Sequence, residues 1–365
     1  MSGTRYFSVG CLVPRIHSAQ SLAEWLNKTK EAFESIPSVQ DLSFTEIDDL
    51  DYTWQGEIGD PGDADIPIPE FGMMAFRVHI PTRLQRNFGI PLGDDEVEDF
   101  SVLTFFDPVH PVTFVECGST AVEIRNPAAS MVIVREFLEA ELAKAKSEVS
   151  LFRVGPSPFH VDFFLSPGRG EILISDHLSA RVKRTLAYDR IDYFYSEEAE
   201  ASDSLLKLFE ASREEFSYFY QFESLRNSRL RSAGELSAET EQLTEKFKER
   251  GFKAYLYRTF SLRHRLQAAH LDAISARLTA MRQKKSAKED LEGLYSNSEG
   301  VGLKIYLERV TEEEYLDEIE SSEKILEIID ARHSQEIQRF ATISFSLLGV
   351  VVGALITAAL RSWWG

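Results

Sequence analysis

Two cysteines in 365 residues are too few for a disulfide framework or a cysteine-rich zinc site, so Cys11 and Cys117 read as buried, reduced thiols. The amino-terminal Met-Ser-Gly-Thr-Arg-Tyr-Phe has no basic segment leading into an apolar one, which excludes a signal peptide of the usual pattern. No Walker loop, Rossmann glycine fingerprint, nucleophile elbow or His-Glu-x-x-His occurs, and the expectation is a protein without enzymatic activity or cofactor. Proline and glycine are missing from Lys304 to Arg339, and Phe340 to Leu360 contains no charge at all. Of these absences the last is the most informative. These 21 uncharged, mainly apolar residues coil into roughly 31 Å of helix, the thickness of a bilayer's hydrocarbon core, with every backbone group paired internally.

That run therefore reads as a membrane helix over residues 340–360, followed by a short tail, 361–365, whose Trp363 and Trp364 fit an interfacial anchor. Lys324, Arg332 and Arg339 precede the span and Arg361 alone follows it. The positive-inside rule then leaves the amino-terminal body in the cytoplasm and the carboxyl terminus outside, as in a tail-anchored single-pass protein. Gly349, Gly353 and Thr357 stand four residues apart on one face, where small side chains admit a second backbone, and they mark a surface for helix association and a homo-oligomer. Their spacing resembles the glycophorin-type dimer motif. Thr342 and Ser346 extend the face into a polar stripe that in a ring of helices would border a narrow aqueous path, and in a plain anchor would bond its own carbonyls.

The net charge of −19 is unevenly distributed. Residues 1–150 hold 25 acids and 11 bases, residues 246–288 hold two acids and 12 bases, and residues 289–339 hold 15 acids and five bases. An acidic amino-terminal part argues against nucleic acid as a partner. A basic helix followed by an acidic one, joined by a short loop, predicts an antiparallel hairpin with facing charges. With residue 283 opposite 306, residue 255 comes level with 334, close to the membrane. Lys246, Lys248, Arg250, Lys253, Arg258, Arg263 and Arg265 then gather at the membrane-proximal end. Lys253, Arg258, Arg263 and Arg265 are the candidates for attracting anionic lipid, each worth about 1 kcal/mol near such a surface.

Periodicity divides the rest. Residues 1–195 read as an α+β cytosolic domain and 196–339 as a helical hairpin or bundle with a long stalk helix. Ser21-Leu-Ala-Glu24 has capping-box spacing, and Leu22, Trp25, Leu26, Thr29 and Phe33 follow at helical intervals. Strands are expected over 6–13, 42–47, 73–80, 102–106 and 112–117, and a second helix after Asn126-Pro127, with Met131, Val134, Leu138 and Leu142 on its apolar face. Residues 159–165 and 171–175 flank Ser-Pro-Gly-Arg-Gly and are expected to form a hairpin. From about residue 200, Leu205, Leu208, Phe209, Phe216, Phe219 and Tyr220 share a helical face, with Gly234 and Gly251 as punctuation. Tyr255, Thr259, Leu262, Leu266, Ala269, Ala273, Ala276 and Ala280 make a heptad seam, and Leu271, Ile274, Leu278 and Met281 a second stripe, which together predict a helix buried on two faces.

The basic and acidic helices, with Ala331-Arg-His-Ser-Gln-Glu-Ile-Gln-Arg-Phe340 entering the membrane, resemble the stalk of CorA-type divalent-cation channels. The resemblance implies an amino-terminal α/β domain and a pore-forming or ion-channel effector as an alternative function. The Gly-Met-Asn signature and the second membrane helix of that family are missing, so it assigns no selectivity residue. Local chemistry is sparse. His160 and Asp162 fall on one face of a strand and are the candidate polar site of a membrane-tethered hydrolase. Asp60, Asp63 and Asp65 lack the glycine and distal glutamate of a calcium loop and read as a solvated turn. His333 lies on the stripe of Tyr315, Ile319, Leu326 and Ile329, close to the membrane, and reads as a tolerated seam position, with a pH-sensitive interhelical contact as the alternative. The leading expectation is an oligomer tethered to a lipid bilayer, whose cytosolic domain binds a protein or signal ligand and passes that event along the final helix.

Overall fold

The computed structural model describes residues 4–16, 18–45, 47, 69–88, 97–118, 126–151, 161–184, 189–249, 251, 257–296, 300–312 and 316–364. They form two compact units. The first comprises Met1–Leu225 with Ala287–Glu312, and the second Arg226–Ser286 with Glu313–Gly365.

The first unit is built on one nine-stranded sheet. Its strands are β1 (Arg5–Gly10), β3 (Val39–Thr45), β4 (Gly72–His79), β5 (Asp99–Phe106), β6 (Val112–Cys117), β8 (Val161–Pro167), β9 (Ile172–Ser175), β10 (Leu178–Lys183) and β11 (Asp189–Tyr195), in the order β3-β4-β5-β6-β1-β8-β11-β10-β9. Two-residue strands β2 (Pro14–Arg15) and β7 (Ser150–Leu151) pair separately. Only β8 and β11 run parallel; the other neighbours in the large sheet are antiparallel.

Alternation sends successive side chains to opposite faces, and in the middle of this sheet both faces are covered. Tyr6 enters one core and Phe7 and Val9 the other. The first core is closed by α1 (Leu22–Glu34) and α3 (Ala129–Lys144), which the single turn α2 (Thr82–Gln85) separates in sequence, with Trp25, Phe33, Met131, Val134 and Leu138 against Phe76, Val78, Phe100 and Val102. α1 starts at the predicted cap: Glu24 N–H donates to Ser21 Oγ at 3.2 Å, while the Glu24 carboxylate reaches one residue past the cap and accepts from Gln20 N–H at 2.9 Å. The second core sets Phe7, Phe114, Phe163 and Tyr193 against Leu205, Leu208, Phe209, Phe216 and Phe219 of α4 (Ala201–Lys248) and against Leu303, Tyr306, Leu307 and Val310 at α6 (Lys304–Glu312). Phe114 and Phe209 stack at 4.1 Å. Cys11 and Cys117 are free, buried thiols, each pushed up to about 12 by desolvation.

Two expectations about elements are corrected. β8 and β9 do not form a hairpin: β8 lies between β1 and β11, and β9 pairs with β10 at the edge. Phe163 and Leu165 are fully buried, which a central strand provides and a terminal hairpin would not. The connecting glycines carry the chain across instead. Gly170 N–H donates to Ser179 Oγ at 2.7 Å, and a side chain on Gly170 would collide with the Ala180 carbonyl. Nor does Gly234 break the chain. α4 runs through it for 48 residues, because burial of Ala233 and Leu236 outweighs the roughly 1 kcal/mol that a helical glycine costs.

The second unit contains the later part of α4, most of α5 (Arg263–Leu294), entered by a π-helical turn at Arg258–Leu262, and α7 (Leu316–Trp364). Ala233, Leu236, Leu243, Leu262, Leu266, Ala269, Ala273, Ile319, Leu326 and Ile329 form its core, so the heptad seam is buried where it is described except at Ala276, which is partly buried. Tyr255 and the side chain of Thr259 lie outside the described residues. α5 and α7 run antiparallel: His333 Nε2–H donates to the Arg258 carbonyl at 2.6 Å, and Arg277 lies 3.4 Å from Glu320 and 3.1 Å from Glu323. The expected second buried stripe is a third correction. Leu271, Ile274, Leu278 and Met281 are 67, 50, 48 and 52% exposed, because α4 and α7 both pack on the alanine side of α5.

Candidate functional site

Among the described residues, the first places to weigh are the apolar end of α7, an open trough on the sheet, and a buried carboxyl beneath α6.

α7 is a single helix whose first turns are anchored in the bundle and whose last are not. Ile319, Leu326, Ile329 and His333 are buried, and from Phe340 onward no described side chain is. It is the one helix among the described residues long and apolar enough to cross a membrane. The polar stripe is internally satisfied: Thr342 Oγ1, Ser346 Oγ and Thr357 Oγ1 donate to the carbonyls of Gln338, Thr342 and Gly353 at 2.8, 2.8 and 2.7 Å. A side chain built on Gly349 or Gly353 meets nothing within 4 Å, so this face is open to a second helix. Gly349→Ile with Gly353→Ile is expected to lower crosslinking between full-length copies in membranes, whereas the same exchange at Val351 and Val352 leaves it unchanged. Equal yields in both variants would remove the glycine face as a contact.

The basic residues assigned to lipid divide on inspection. Arg258 is committed within the protein: its guanidinium donates to the carbonyls of Phe247 and Glu249, both at 2.8 Å, closing the end of α4, and lies 3.5 Å from Glu336. Arg263 is exposed, as is Arg265, which donates to the Tyr257 hydroxyl at 3.1 Å. Lys253, Arg250, His160 and the aspartates 60, 63 and 65 lie outside the described residues. Asp162, the partner proposed for His160, accepts from Ala128 N–H at 3.3 Å and so ties β8 to the first turn of α3. Burial raises its carboxyl, against the Ala128 bond and the Arg190 charge.

The trough lies on the first unit, where the helices of the second core leave β4 and β5 uncovered. Its volume is about 290 Å³, its floor is Ala75, Ser101 and Leu103, and the first turns of α4 form a wall with Leu205, Leu206 and Phe209. Arg77, Ser101 and Glu116 sit side by side across three strands. Ion pairs close both ends of that row, Arg77 with Asp41 and Arg5 with Glu116 at 2.8 Å. Asp41 adopts φ 54° at an irregularity between Gln40 and Ser43, a backbone state uncommon outside glycine, and this turns its carboxylate onto Arg77. An apolar floor between opposed ion pairs suits a ligand that is apolar in the middle and polar at its ends.

The buried carboxyl belongs to Glu215 on α4. Val301 N–H donates to it at 2.5 Å, Leu303 N–H at 3.3 Å and the Tyr295 hydroxyl at 2.8 Å. Gly300 (φ 70°) makes room, since a side chain there would strike Glu215 Oε1. Desolvation raises the carboxyl to about 7 against those three donors. Tyr193 is buried nearby with its hydroxyl unpartnered. Enclosed on all sides, Glu215 serves as the cap of the segment entering α6. No sequence motif marks it; the only hint is an acid within the apolar face of α4.

Comparison with protein families, with curated proteins and with solved structures finds no match.

Proposed function

We propose that this chain is a tail-anchored membrane protein that self-associates, with its amino-terminal body in the cytosol, and that the body binds a protein or signal ligand whose arrival is passed to the membrane through α7. The observation that carries this reading is the continuity of α7, which has buried side chains in the bundle and a wholly exposed apolar segment in one uninterrupted helix of 49 residues. A lone exposed segment of that length is costly in water and favourable in lipid. The sheet trough is the place for the ligand, because it is the recess of the first unit that combines an apolar floor with ion-paired ends. The hydroxyls of Thr342, Ser346 and Thr357 bond their own helix, which supports an anchor over a water-lined path of the kind a cation channel needs.

Protease protection tests the topology. In sealed vesicles with the cytosolic face outward, added protease is expected to digest the body and to spare only a fragment containing residues 340–364. A protected body, or digestion of every part without detergent, would reject the orientation.

A further inference from the structure

We propose that the outward stripe of α5 in one copy of this chain docks along the outward face of α7 in the next, a head-to-tail contact that closes copies into a ring. The proposal rests on the membrane-anchored reading above.

Leu271, Ile274, Leu278 and Met281 are spaced three, four and three residues apart, so they form one strip, opposite the buried seam of Leu262, Leu266, Ala269 and Ala273. The same face carries Arg263, Gln267, Arg282 and Lys285, all exposed, and no acid; Asp272, the only acid of this stretch, turns aside toward α4. The strip is therefore apolar with basic ends. α7 offers a counterpart in Ile325 and Ile328, both exposed, with Asp317 and Glu318 about two to three turns further from the apolar segment.

Height decides how these surfaces meet. Within one copy His333 stands level with Arg258, and Glu320 and Glu323 stand level with Arg277. Copies that enter one bilayer in the same direction, with α7 near the membrane normal, are related by rotation about that normal, and rotation leaves height unchanged. Residues level within a copy are therefore level between copies. Leu271 and Ile274 come opposite Ile325, and Leu278 and Arg282 come opposite Asp317 and Glu318. Apolar meets apolar and base meets acid over this stretch, with one base out of pattern, the exposed Lys324 beside Ile325. Nearer the membrane Arg263 and Arg332 share a level, and the match ends there. Pairing α5 with α5 about a two-fold axis along the same normal would instead bring Arg263, Arg282 and Lys285 of both copies to common heights. Like charges so placed disfavour that arrangement. The remaining contact is heterologous, and such contacts close as rings when the rotation permits.

Introduced cysteines read this directly, because native Cys11 and Cys117 are buried. Full-length chains bearing Ile274→Cys and Ile325→Cys, each with its own tag, are co-expressed, and the membranes are treated with a short thiol crosslinker. A product carrying both tags is expected, at least about fivefold above the product from either variant alone, and Arg282→Glu is expected to reduce it about fivefold. Linking of Ile274→Cys chains with one another, or of Ile325→Cys chains with one another, at equal or greater yield would overturn the proposal. So would absence of the mixed product from chains that sediment with membranes, which would leave the anchor standing. Chains recovered folded in the soluble fraction would overturn the anchor and, with it, the common height on which the contact depends. Both positions are exposed, so neither variant disturbs the core.

Discussion

Glu215→Ala is expected to destabilise the first unit by about 3 kcal/mol or more and to speed hydrogen exchange throughout residues 300–312. The substitution leaves two buried N–H groups, of Val301 and Leu303, without an acceptor, and each such group costs about 1–3 kcal/mol. It also removes side-chain volume between α4 and the Tyr295 ring. Unaltered exchange at Val301 and Leu303 would show that the carboxyl is not what holds the segment. Glu215→Gln separates charge from shape, since the amide keeps one oxygen for Val301. In the native chain burial raises the carboxyl from 4.5 to about 7, so the folded state holds its proton to higher pH than the unfolded state does. The stabilisation linked to that proton is complete below pH 4.5 and is lost as pH rises through about 7, amounting to about 3 kcal/mol over the window. Of its three partners only the Tyr295 hydroxyl can reverse and accept, so protonation turns one bond around and leaves both backbone bonds intact. Exchange of residues 300–312 is thus expected to quicken from pH 5 to 7.5, after correction for intrinsic rates, in the native chain and to stay flat in Glu215→Gln. Parallel profiles would assign the pH response elsewhere; the charge of Glu214 also raises the same carboxyl.

Deleting Phe340–Gly365 is expected to move the chain from the membrane pellet to the soluble fraction while its far-UV circular dichroism per residue changes only by the lost helix. No described side chain in the deleted stretch belongs to any of the three cores. The first unit alone, at about 250 residues, is large enough to bury most of its unfolded surface. A folded truncation that still sediments would place the principal membrane contact elsewhere, with exposed Arg263 and Arg265 the first bases to reverse.

The readable parts of this fold are those in which local pattern and final environment agree. Ser21 and Glu24 announce α1 because a cap is made by neighbours in sequence. Leu262, Leu266, Ala269 and Ala273 announce the bundle because one buried face leaves a period. The antiparallel register of α5 and α7 follows from segregated charge, and Arg258 meets His333 within a turn of the expected level. Elsewhere the deciding partner is distant. β8 pairs with β1, more than 150 residues away in sequence, on one edge and with β11 on the other, which leaves no edge for β9, and no pattern within residues 159–175 distinguishes that from a hairpin. Leu271, Ile274, Leu278 and Met281 have the spacing of a buried stripe and are exposed, since spacing records a face and not its neighbour. Glu215 was illegible for the same reason: its three donors come from a loop some 80 residues later.

The discontinuous makeup of the first unit fixes a timetable for biosynthesis. Phe7, Phe114 and Phe163 are translated early, yet the face they occupy is not closed until Leu303, Leu307 and Val310 have left the ribosome. Until then a nascent chain of some 300 residues carries an aromatic surface only partly shielded by α4, the kind of surface that chaperones bind. The last turn needed to bury it, around Val310, emerges fewer than forty residues ahead of the apolar part of α7. Closure of the first unit's aromatic core and emergence of the apolar part of α7 are thereby brought together in time, so that a ribosome stalled before α6 would release a chain with that face uncovered and α7 missing.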